Sequence, residues 1–392
     1  MNLPQGYKQT ELGIIPEDWE VINLGSIAKI NGRIGFRGYT VNDLVGAGQG
    51  AYAIGGKHIA QLTLDLSEPE YISWKKYYES PEIMVKQGDI VFAQRGTLGR
   101  SALISQNIGP ATINPSLVLI NNIKCNNIYL SHWIQSERII KYVCSINSQT
   151  SIPMITQKQI EHIPVILPPL SEQKAIAEAL SDVDELITAL DKKIAKKRLI
   201  KQGAMHRLIG FSVTNKLQSI LLKNIVNIRK GSMLTSDNFV SGNIPVIAGG
   251  KAPAGFHNIA NRPAKTITIS ASGASAGYVA FYDEPIFATD CSTIEPNSKY
   301  NIEYIYYLLK YYQNDIYTMQ TGGAQPHIHP SDLNELRILY KDNLKEQQAI
   351  ATILSDMDKE IADLEAQRDK YRLVKSGMMQ KLLTGQIRLK KE

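Results

Sequence analysis

Two long segments of the chain carry the narrow apolar seam that is typical of a coiled-coil helix. In each segment apolar side chains recur at alternating steps of four and three residues, which places them on one helix face. The first seam comprises Ile176, Leu180, Val183, Ile187, Leu190 and Ile194. The second seam comprises Ile350, Leu354, Met357, Ile361 and Leu364. Because both seams are narrow, we predict that the two helices pack against each other.

The two helical segments are copies of one another. The run EQKAIAEALSDVDELITALDKKIAKKRLIKQGAMHRLI begins at Glu172, and the run EQQAIATILSDMDKEIADLEAQRDKYRLVKSGMMQKLL begins at Glu346; they share 18 identities in 38 paired positions. A proline pair followed by Ser171 predicts the first helix start, with the serine as a cap. Gly203 and Gly377 stand at equivalent places, and we expect them to interrupt both helices near their ends.

The segment before each helix is predicted to be mixed and rich in strands. Short β-type runs that end in glycine turns occur in both, namely GDIVFAQRG and AIGGKHI in the first and KTITISASG and VIAGGKAP in the second. NNIYLSHWIQ and YNIEYIYYLL predict matching short helices, aligned so that Asn127 pairs with Asn301 and Trp133 with Tyr307. The tyrosines of the second run are predicted to be core and flank residues.

These patterns predict an α+β protein with two pseudo-repeated, strand-rich globular units and two long helices packed as a coiled coil. The predicted boundaries are 1–165 for the first unit, 166–210 for the central helix region, 211–340 for the second unit and 341–392 for the C-terminal helix region. A duplicated head on a duplicated helix suggests a protein that holds two similar objects, or two halves of one object.

Composition places the chain among ordinary globular proteins. Of its 392 residues, 43% are hydrophobic and 20% are charged, and the formal net charge is +6. No apolar run is long enough to span a membrane, and the opening MNLPQGYKQTELG lacks the layout of a signal peptide. The three cysteines fit no zinc spacing, so we expect a reduced, cytoplasmic protein. The net charge permits a polyanionic partner without requiring one.

Motifs for catalysis are not found in the sequence. Gly56-Lys57 resembles the end of a phosphate-binding loop, but position 51 is alanine and position 58 is histidine. No glycine-rich dinucleotide motif is visible, and Glu172-Gln173-Lys174 opens a helix where a nuclease would place these residue types on a strand. His327 and His329 lack acidic or cysteine partners at metal-ligand spacing, so we predict no metal site.

Basic and polar side chains in the glycine loops are the candidate functional residues. Arginine and lysine neutralise phosphates, arginine can bond guanine through two donors, and glycine lets the backbone approach a phosphate closely. The candidate DNA contacts are Arg33, Arg37, Lys57, Arg95, Arg100, Arg229, Lys230, Lys251, His257, Arg262 and His327. For any single residue a solvated surface loop is the better interpretation. The hypothesis gains weight because two similar units offer such loops at corresponding places.

The chain resembles the specificity subunits of type I restriction-modification systems. The resemblance is carried by LPPLSEQKAIAEALSDVDELI and KEQQAIATILSDMDKEI, by the endings KQGAMHRLI and KSGMMQKLLTGQIRL, and by the opening GYKQTELGIIPEDWEV. It extends over essentially the whole chain. The second copy departs from the pattern at Tyr340-Lys341, where the first copy has two prolines.

The resemblance implies a DNA-binding subunit without a catalytic centre. Each unit would be a target-recognition domain that reads one half of a bipartite double-stranded DNA target. The two helices would pack as an antiparallel coiled coil and dock two modification subunits. This chain would bind no cofactor, since S-adenosylmethionine belongs to the modification subunit, and Mg and ATP belong to the restriction and motor subunits. No membrane contact is implied. Two alternatives remain open: a stand-alone nuclease or methyltransferase, and a protein-binding scaffold that does not touch DNA.

Overall fold

The computed structural model describes residues 3–60, 63–147, 153–210, 218–234, 240–323 and 325–390. Short strands and helices precede each of two long helices, which confirms the predicted α+β class. The helices are α1 Leu24–Ile27, α2 Trp74–Tyr78, α3 Asn127–Ile134, α4 Glu137–Ser145, α5 Gln157–Glu161, α6 Leu170–Ile209, α7 Ile302–Tyr311, α8 Gln313–Thr318, α9 Pro330–Asn334 and α10 Leu344–Leu382.

The strands are short and fall into two groups, one before each long helix. The first group is β1 Tyr7–Thr10, β2 Gly13–Pro16, β3 Glu20–Asn23, β4 Lys29–Gly32, β5 Leu44–Val45, β6 Gly50–Ile54, β7 Ile59–Ala60, β8 Thr63–Leu64, β9 Tyr71–Ser73, β10 Ile90–Ala93, β11 Ser101–Leu103, β12 Ala111–Ile113, β13 Leu117–Asn121 and β14 Pro164–Leu167. The second group is β15 Gln218–Leu221, β16 Arg229–Lys230, β17 Ile244–Ile247, β18 Gly255–His257, β19 Thr266–Ser270, β20 Val279–Tyr282, β21 Phe287–Ala288, β22 Cys291–Ile294 and β23 Arg337–Tyr340.

The chain forms two compact units, each of which contains part of both long helices. The first unit comprises residues 1–189 and 368–392, and the second comprises residues 190–367. The boundary between them therefore falls inside α6 and inside α10. The boundaries proposed from the sequence, which keep each helix region as a separate domain, stay a prediction.

Both units are built on the same two-sheet plan. In the first, one antiparallel sheet has the order β11-β10-β13-β4, and a second has the order β12-β6-β9-β5 with β12 parallel to β6. In the second unit the matching sheets have the orders β20-β19-β22-β16 and β18-β17-β21, with β17 parallel to β21. The sequence repeat is therefore a repeat of topology.

The helix caps correct the predicted alignment of the two units by one residue. The Asn126 side chain caps α3 and the Asn301 side chain caps α7, each by accepting a backbone N–H at 2.8 Å. The backbone N–H of each asparagine also donates to a glutamine of a long helix, Gln173 and Gln347 respectively. Asn301 therefore corresponds to Asn126 and not to Asn127, because position and capping role agree only in that pairing.

The structure divides each predicted seam between a globular core and a helix–helix contact. Ile176 and Leu180 are fully buried in the core of the first unit, and Ile350 and Leu354 are buried in the core of the second. Helix-on-helix packing in the second unit joins Leu190 and Ile194 of α6 to Ile361 and Leu364 of α10. Of the remaining seam residues, Val183 is buried, Ile187 is half-buried, and Met357 packs against the second core.

A pair of reciprocal ion pairs shows that the helices run antiparallel. In the first unit Asp184 of α6 accepts from the ammonium group of Lys375 of α10 at 2.7 Å. In the second unit Asp358 of α10 accepts from Lys201 of α6. Asp184 and Asp358 are 174 residues apart, and so are Lys201 and Lys375. Each long helix therefore carries one acidic and one basic member, and the same ion pair forms once in each unit.

Each ion pair is covered by one side chain from the short helix that follows the strands. In the first unit His132 lies 3.9 Å from Asp184, and in the second the Tyr307 hydroxyl donates to Asp358 at 2.8 Å. Tyr307 thus corresponds to His132, whereas the sequence alignment paired it with Trp133. Burial, together with nearby Lys375, lowers the pKa of His132 to about 3, so the ring is neutral.

Two expectations about the ends of the helices are wrong. The helix α6 already begins at Leu170, so Ser171 lies inside the first turn and is not the cap. Gly203 and Gly377 interrupt nothing, because α6 continues to Ile209 and α10 to Leu382.

A buried carboxylate binds the C-terminal segment to the rest of the first unit through hydrogen bonds. Glu172 is 2% exposed and accepts hydrogen bonds from Trp19 at 3.0 Å and from Arg388 at 2.7 Å. Arg388 also donates two hydrogen bonds to Asp18. Burial alone would raise the pKa of Glu172, but the bonds from Arg388 and Trp19 outweigh it and hold the pKa below its usual value.

We expect Arg388→Met to lower the stability of the first unit by about 3 kcal/mol at neutral pH, because it leaves a buried carboxylate without its cation. All three tryptophans (Trp19, Trp74 and Trp133) lie in this unit, so their fluorescence during urea unfolding reports its stability. Since the folded-state pKa of Glu172 is depressed, the contribution is present above about pH 4.3 and is lost as the pH falls further.

Lys390→Met is the matched control, since Lys390 lies 3.8 Å from Asp18 and its side chain is 65% exposed. It should change stability by less than about 0.5 kcal/mol. Equal effects of the two variants would show that Arg388 does not neutralise Glu172.

Candidate nucleic-acid interface

Four backbone segments of the first unit meet at one end of its sheets. They are the GGK turn after β6, the loop between β10 and β11, the turn before β13, and residues 153–155. Three backbone hydrogen bonds of at most 3.1 Å join them: the N–H of Gln94 donates to the carbonyl of Ser116, that of Ile155 to the carbonyl of Gln94, and that of Gly96 to the carbonyl of Pro153. We call this set of segments the first loop cluster.

The second unit contains the same arrangement, which we call the second loop cluster. The N–H of Ala271 donates to Asp290 at 3.2 Å, Ile328 donates to Ala271 at 3.0 Å, and Gly273 donates to Pro326 at 3.0 Å. A fourth hydrogen bond connects the end of β17 to the turn before β22, since the backbone N–H of Thr289 donates to the carbonyl of Ile247 at 2.8 Å. In the first unit the N–H of Asn114 donates to the carbonyl of Ile54 in the same way. Four hydrogen bonds are thus repeated at corresponding positions.

Glycines with positive φ stand at both ends of each of the two β-hairpin loops. Gly96 and Gly273 both have φ of 77°, and Gly99 and Gly277 have φ of 79° and 82°. Side chains other than glycine rarely adopt this conformation, so these positions fix the loop shape. The two units therefore share the anchoring hydrogen bonds and the glycine φ angles, whereas the loops differ by one residue in length and in the side chains that they present.

Several of the predicted contact residues lie on these clusters. In the first, Arg95 and Arg100 are exposed on the β10–β11 loop, and Lys57 stands on the GGK turn, where it pairs with Glu70 at 2.7 Å. In the second, Lys251 occupies the corresponding turn and lies 5.4 Å from the Tyr278 ring. His327 takes the place that Met154 has in the first cluster.

Arg33 and Arg262 are structural in the free protein. Each is 6% exposed. Arg33 donates to Thr112 at 2.9 Å and to Ile113, and burial lowers its pKa. Arg262 donates to Thr293 at 2.8 Å and to the Lys230 carbonyl. Because these donors are already satisfied inside the fold, neither side chain is placed to meet a base or phosphate.

The remaining candidates are buried or paired with a carboxylate, except Lys230, which is exposed beside the second loop cluster. His257 is 7% exposed, and its Nδ1 accepts the backbone N–H of Val240. Arg37 lies 3.7 Å from Glu82, and Arg229 pairs with Glu295 at 2.7 Å. Lys230 is exposed in β16, next to the turn that precedes β22.

The candidate residues predicted from the sequence are basic, and they do not include the polar groups that shape each cluster. In the first, the side-chain Oδ1 of Asn114 accepts from both the backbone N–H and the hydroxyl of Ser116. In the second, Asp290 accepts from the Ser272 hydroxyl. These residues stand where a turn enters a buried strand, and turn composition could have indicated them. In the described ranges no group of three histidine, cysteine or carboxylate side chains could hold a metal ion.

The same loop cluster, with basic or polar side chains exposed on it, is thus built once in each unit. A family model described as "Type I restriction modification DNA specificity domain" matches the chain twice, over residues 16–198 and 215–370. The chain belongs to the family of type I restriction-modification specificity subunits. The topological repeat is therefore a repeat of the family's specificity domain.

Known relatives agree over nearly the full length. The chain is 26% identical to the putative type I restriction enzyme MjaX specificity subunit of Methanocaldococcus jannaschii, covering 98% of this chain and 97% of that protein. It is 25% identical to the MjaVIII specificity subunit of the same organism, covering 96% and 94%. A crystal structure of a type I S subunit from M. genitalium has the same fold, with a TM-score of 0.66 at 18% identity over 97% and 98% of the two chains.

Among the described residues, no helix is both long enough and apolar enough to cross a membrane.

We expect Gly249→Ala to loosen the second loop cluster, because an added Cβ would lie 2.7 Å from the Ser272 carbonyl oxygen. The strain should cost about 1–3 kcal/mol locally. The amides of Ala271 and Ile328, which are hydrogen-bonded in this cluster, should then exchange faster with deuterium.

Gly250→Ala is the matched control, since its Cβ would meet its nearest atom at an ordinary 3.5 Å. Unchanged exchange in Gly249→Ala, or equal effects of both variants, would contradict the described packing of this turn.

Proposed function

We propose that this specificity subunit binds double-stranded DNA and reads a bipartite target, with one half-site for each unit. The observation that carries the proposal is the loop cluster, which recurs with the same backbone hydrogen bonds and different side chains. Arg95, Arg100 and Met154 in the first cluster are replaced by other residue types in the second, where Ser272 and His327 stand at the places of Arg95 and Met154. Two units that share a backbone scaffold but differ in their exposed side chains are suited to bind two different half-sites.

The chemistry of the exposed side chains supports DNA as the ligand. Guanidinium and ammonium groups bind phosphates and guanine edges, and the imidazole and hydroxyl groups of the second cluster can bond base edges. Among the described residues, Arg100, Lys230 and Lys251 are exposed and have no carboxylate partner. These cations are available to a polyanion without first breaking an ion pair.

The proposal assigns no catalytic step and no cofactor to this chain. Methyl transfer would be performed by two modification subunits that dock on the long helices and hold S-adenosylmethionine. Cleavage would be performed by restriction subunits that use Mg and ATP. The complex would act in the cytoplasm, where its DNA is found.

DNA affinity measured against salt concentration tests the proposal. Phosphate contacts release counterions, so the logarithm of the binding constant should fall steeply and linearly with the logarithm of salt concentration. Arg95→Ala and Lys251→Ala should each weaken binding by about 1 kcal/mol or more, or reduce the slope by about one.

Controls come from the opposite end of the same sheets. Lys29 is exposed at the far end of β4, and Lys299 is exposed beyond the far end of β22. Lys29→Ala and Lys299→Ala should leave both affinity and slope unchanged. A DNA-binding constant that does not change with salt concentration would favour the protein-scaffold alternative. Methylation or cleavage by this chain alone, with Mg and S-adenosylmethionine supplied, would favour the enzyme alternative.

A further inference from the structure

The two loop clusters present different hydrogen-bonding groups at equivalent places. Ser272 takes the place of Arg95 on the hairpin loop, directly after the residue whose N–H forms the equivalent backbone hydrogen bond. Asp290 takes the place of Ser116, because the carbonyl of each accepts that hydrogen bond in its own unit. The first cluster thus has a guanidinium and a hydroxyl where the second has a hydroxyl and a carboxylate.

The carboxylate of Asp290 is not paired with a cation in the part of the chain that the structure describes. The residue is half-buried, and the one side chain that donates to it there is Ser272, whose hydroxyl bonds Oδ2. Lys251, the exposed cation of the same cluster, lies 5.4 Å from the centre of the Tyr278 ring and forms no ion pair with Asp290. The negative charge of Asp290 is therefore available to a ligand.

Asp290 and Ser272 together offer hydrogen-bond acceptors. An ionised carboxylate only accepts, and a serine hydroxyl has one donor and two acceptor positions. Since the hydroxyl donor of Ser272 is used on Asp290, its remaining capacity is to accept. Arg95 has the opposite character, because a guanidinium only donates. The two units thus present groups of opposite hydrogen-bonding character at equivalent places.

An unpaired carboxylate on a DNA-binding surface needs an explanation, because the phosphates repel it. Base edges can supply one. In the major groove cytosine offers its N4 amino group and adenine its N6 amino group, whereas guanine offers only acceptors and thymine an acceptor and a methyl group. A carboxylate is therefore complementary to cytosine or adenine, and it is unfavourable against guanine or thymine.

We propose that Asp290 accepts a hydrogen bond from the exocyclic amino group of an adenine or cytosine in the half-site bound by the second unit. Ser272 holds the carboxylate in position through its own hydrogen bond. This inference rests on the proposed function, and it adds the class of base at one position of the target.

Neither turn structure nor metal binding accounts for the carboxylate. The first unit builds the corresponding turn with neutral side chains, since Oδ1 of Asn114 accepts from the N–H and the hydroxyl of Ser116. A negative charge is therefore not needed to form the turn. A metal ion would need further ligands, and no group of three histidine, cysteine or carboxylate side chains in the described residues could hold one.

The test removes the amino group and the carboxylate separately and together. The methylation motif defines the two half-sites, and duplexes of that motif are prepared in which one adenine is replaced by purine or one cytosine by 2-pyrimidinone. Both analogues lack the exocyclic amino group. DNA affinity is measured by fluorescence anisotropy at fixed salt concentration, with the full chain in complex with its modification subunit.

At one analogue position the parent complex should bind about tenfold more weakly than to the natural duplex. The complex that carries Asp290→Ala should bind the natural duplex and that analogue duplex equally, because the acceptor of the hydrogen bond is gone. The comparison isolates the contact from the effect of the analogue on base pairing. Whether the sensitive position carries the purine or the pyrimidine analogue distinguishes adenine from cytosine.

Control variants separate the contact from general effects. Asp283→Ala removes an exposed carboxylate just beyond the far end of β20, and it should leave the analogue effect at its parent size. Arg95→Ala should change binding through the other half-site only. If Asp290→Ala fails to fold, Asp290→Ser replaces it, since serine is the residue that the first unit has at this place, and it should reduce the analogue effect.

Three results would overturn the inference. If the motif has two parts and no amino group in it is coupled to Asp290, the carboxylate is not a base contact, and the proposed function stands without it. A position that depends on Asp290 but carries guanine or thymine has the same consequence. If the complex does not bind DNA, the proposed function fails, and the inference fails with it.

Discussion

Each globular core of this protein is completed by the first turns of one long helix and the last turns of the other. The core of the first unit buries Ile176 and Leu180 of α6 together with Leu382 of α10. The core of the second unit buries Ile350 and Leu354 of α10 together with Ile209 of α6. Each such aliphatic side chain contributes about 1.5–3 kcal/mol when fully buried. Neither core can therefore be closed by a contiguous stretch of sequence, and both depend on the antiparallel course of the two helices.

The duplication supplies two copies of every functional element on this frame. Each unit has one loop cluster and one Asp–Lys ion pair between the long helices. The scaffold is repeated at the level of hydrogen bonds and glycine φ angles, while Arg95 and Met154 are replaced by Ser272 and His327. A repeated scaffold with divergent side chains is what we expect of a protein that recognises two unlike half-sites.

Local patterns allowed much of the fold to be predicted from the sequence. The seam spacing predicted both long helices, and the glycine-terminated apolar runs predicted β10 and β19. The alignment of the short helices was wrong by one residue, because the capping role of Asn126 depends on geometry that letter matching does not contain. The expectation that Gly203 and Gly377 interrupt their helices was wrong because the surrounding good helix formers outweigh one glycine.

Long-range contacts were not predictable in the same way. The role of Glu172 depends on Arg388, which lies 216 residues away in the chain. The candidate list also included Arg33 and Arg262, since an arginine near glycine looks the same in sequence whether its donors face solvent or the interior. The residues that shape the loop clusters, such as Asn114 and Asp290, are not basic and were therefore passed over.

The most direct measurement of the central claim is the DNA methylation pattern of a host that carries this chain with its modification subunit. Two separated recognition units predict a motif of two short specific parts with a non-specific gap of fixed length, and this motif should disappear when the gene for this chain is deleted. A single uninterrupted motif, or a methylation pattern that does not change on deletion, would contradict the account.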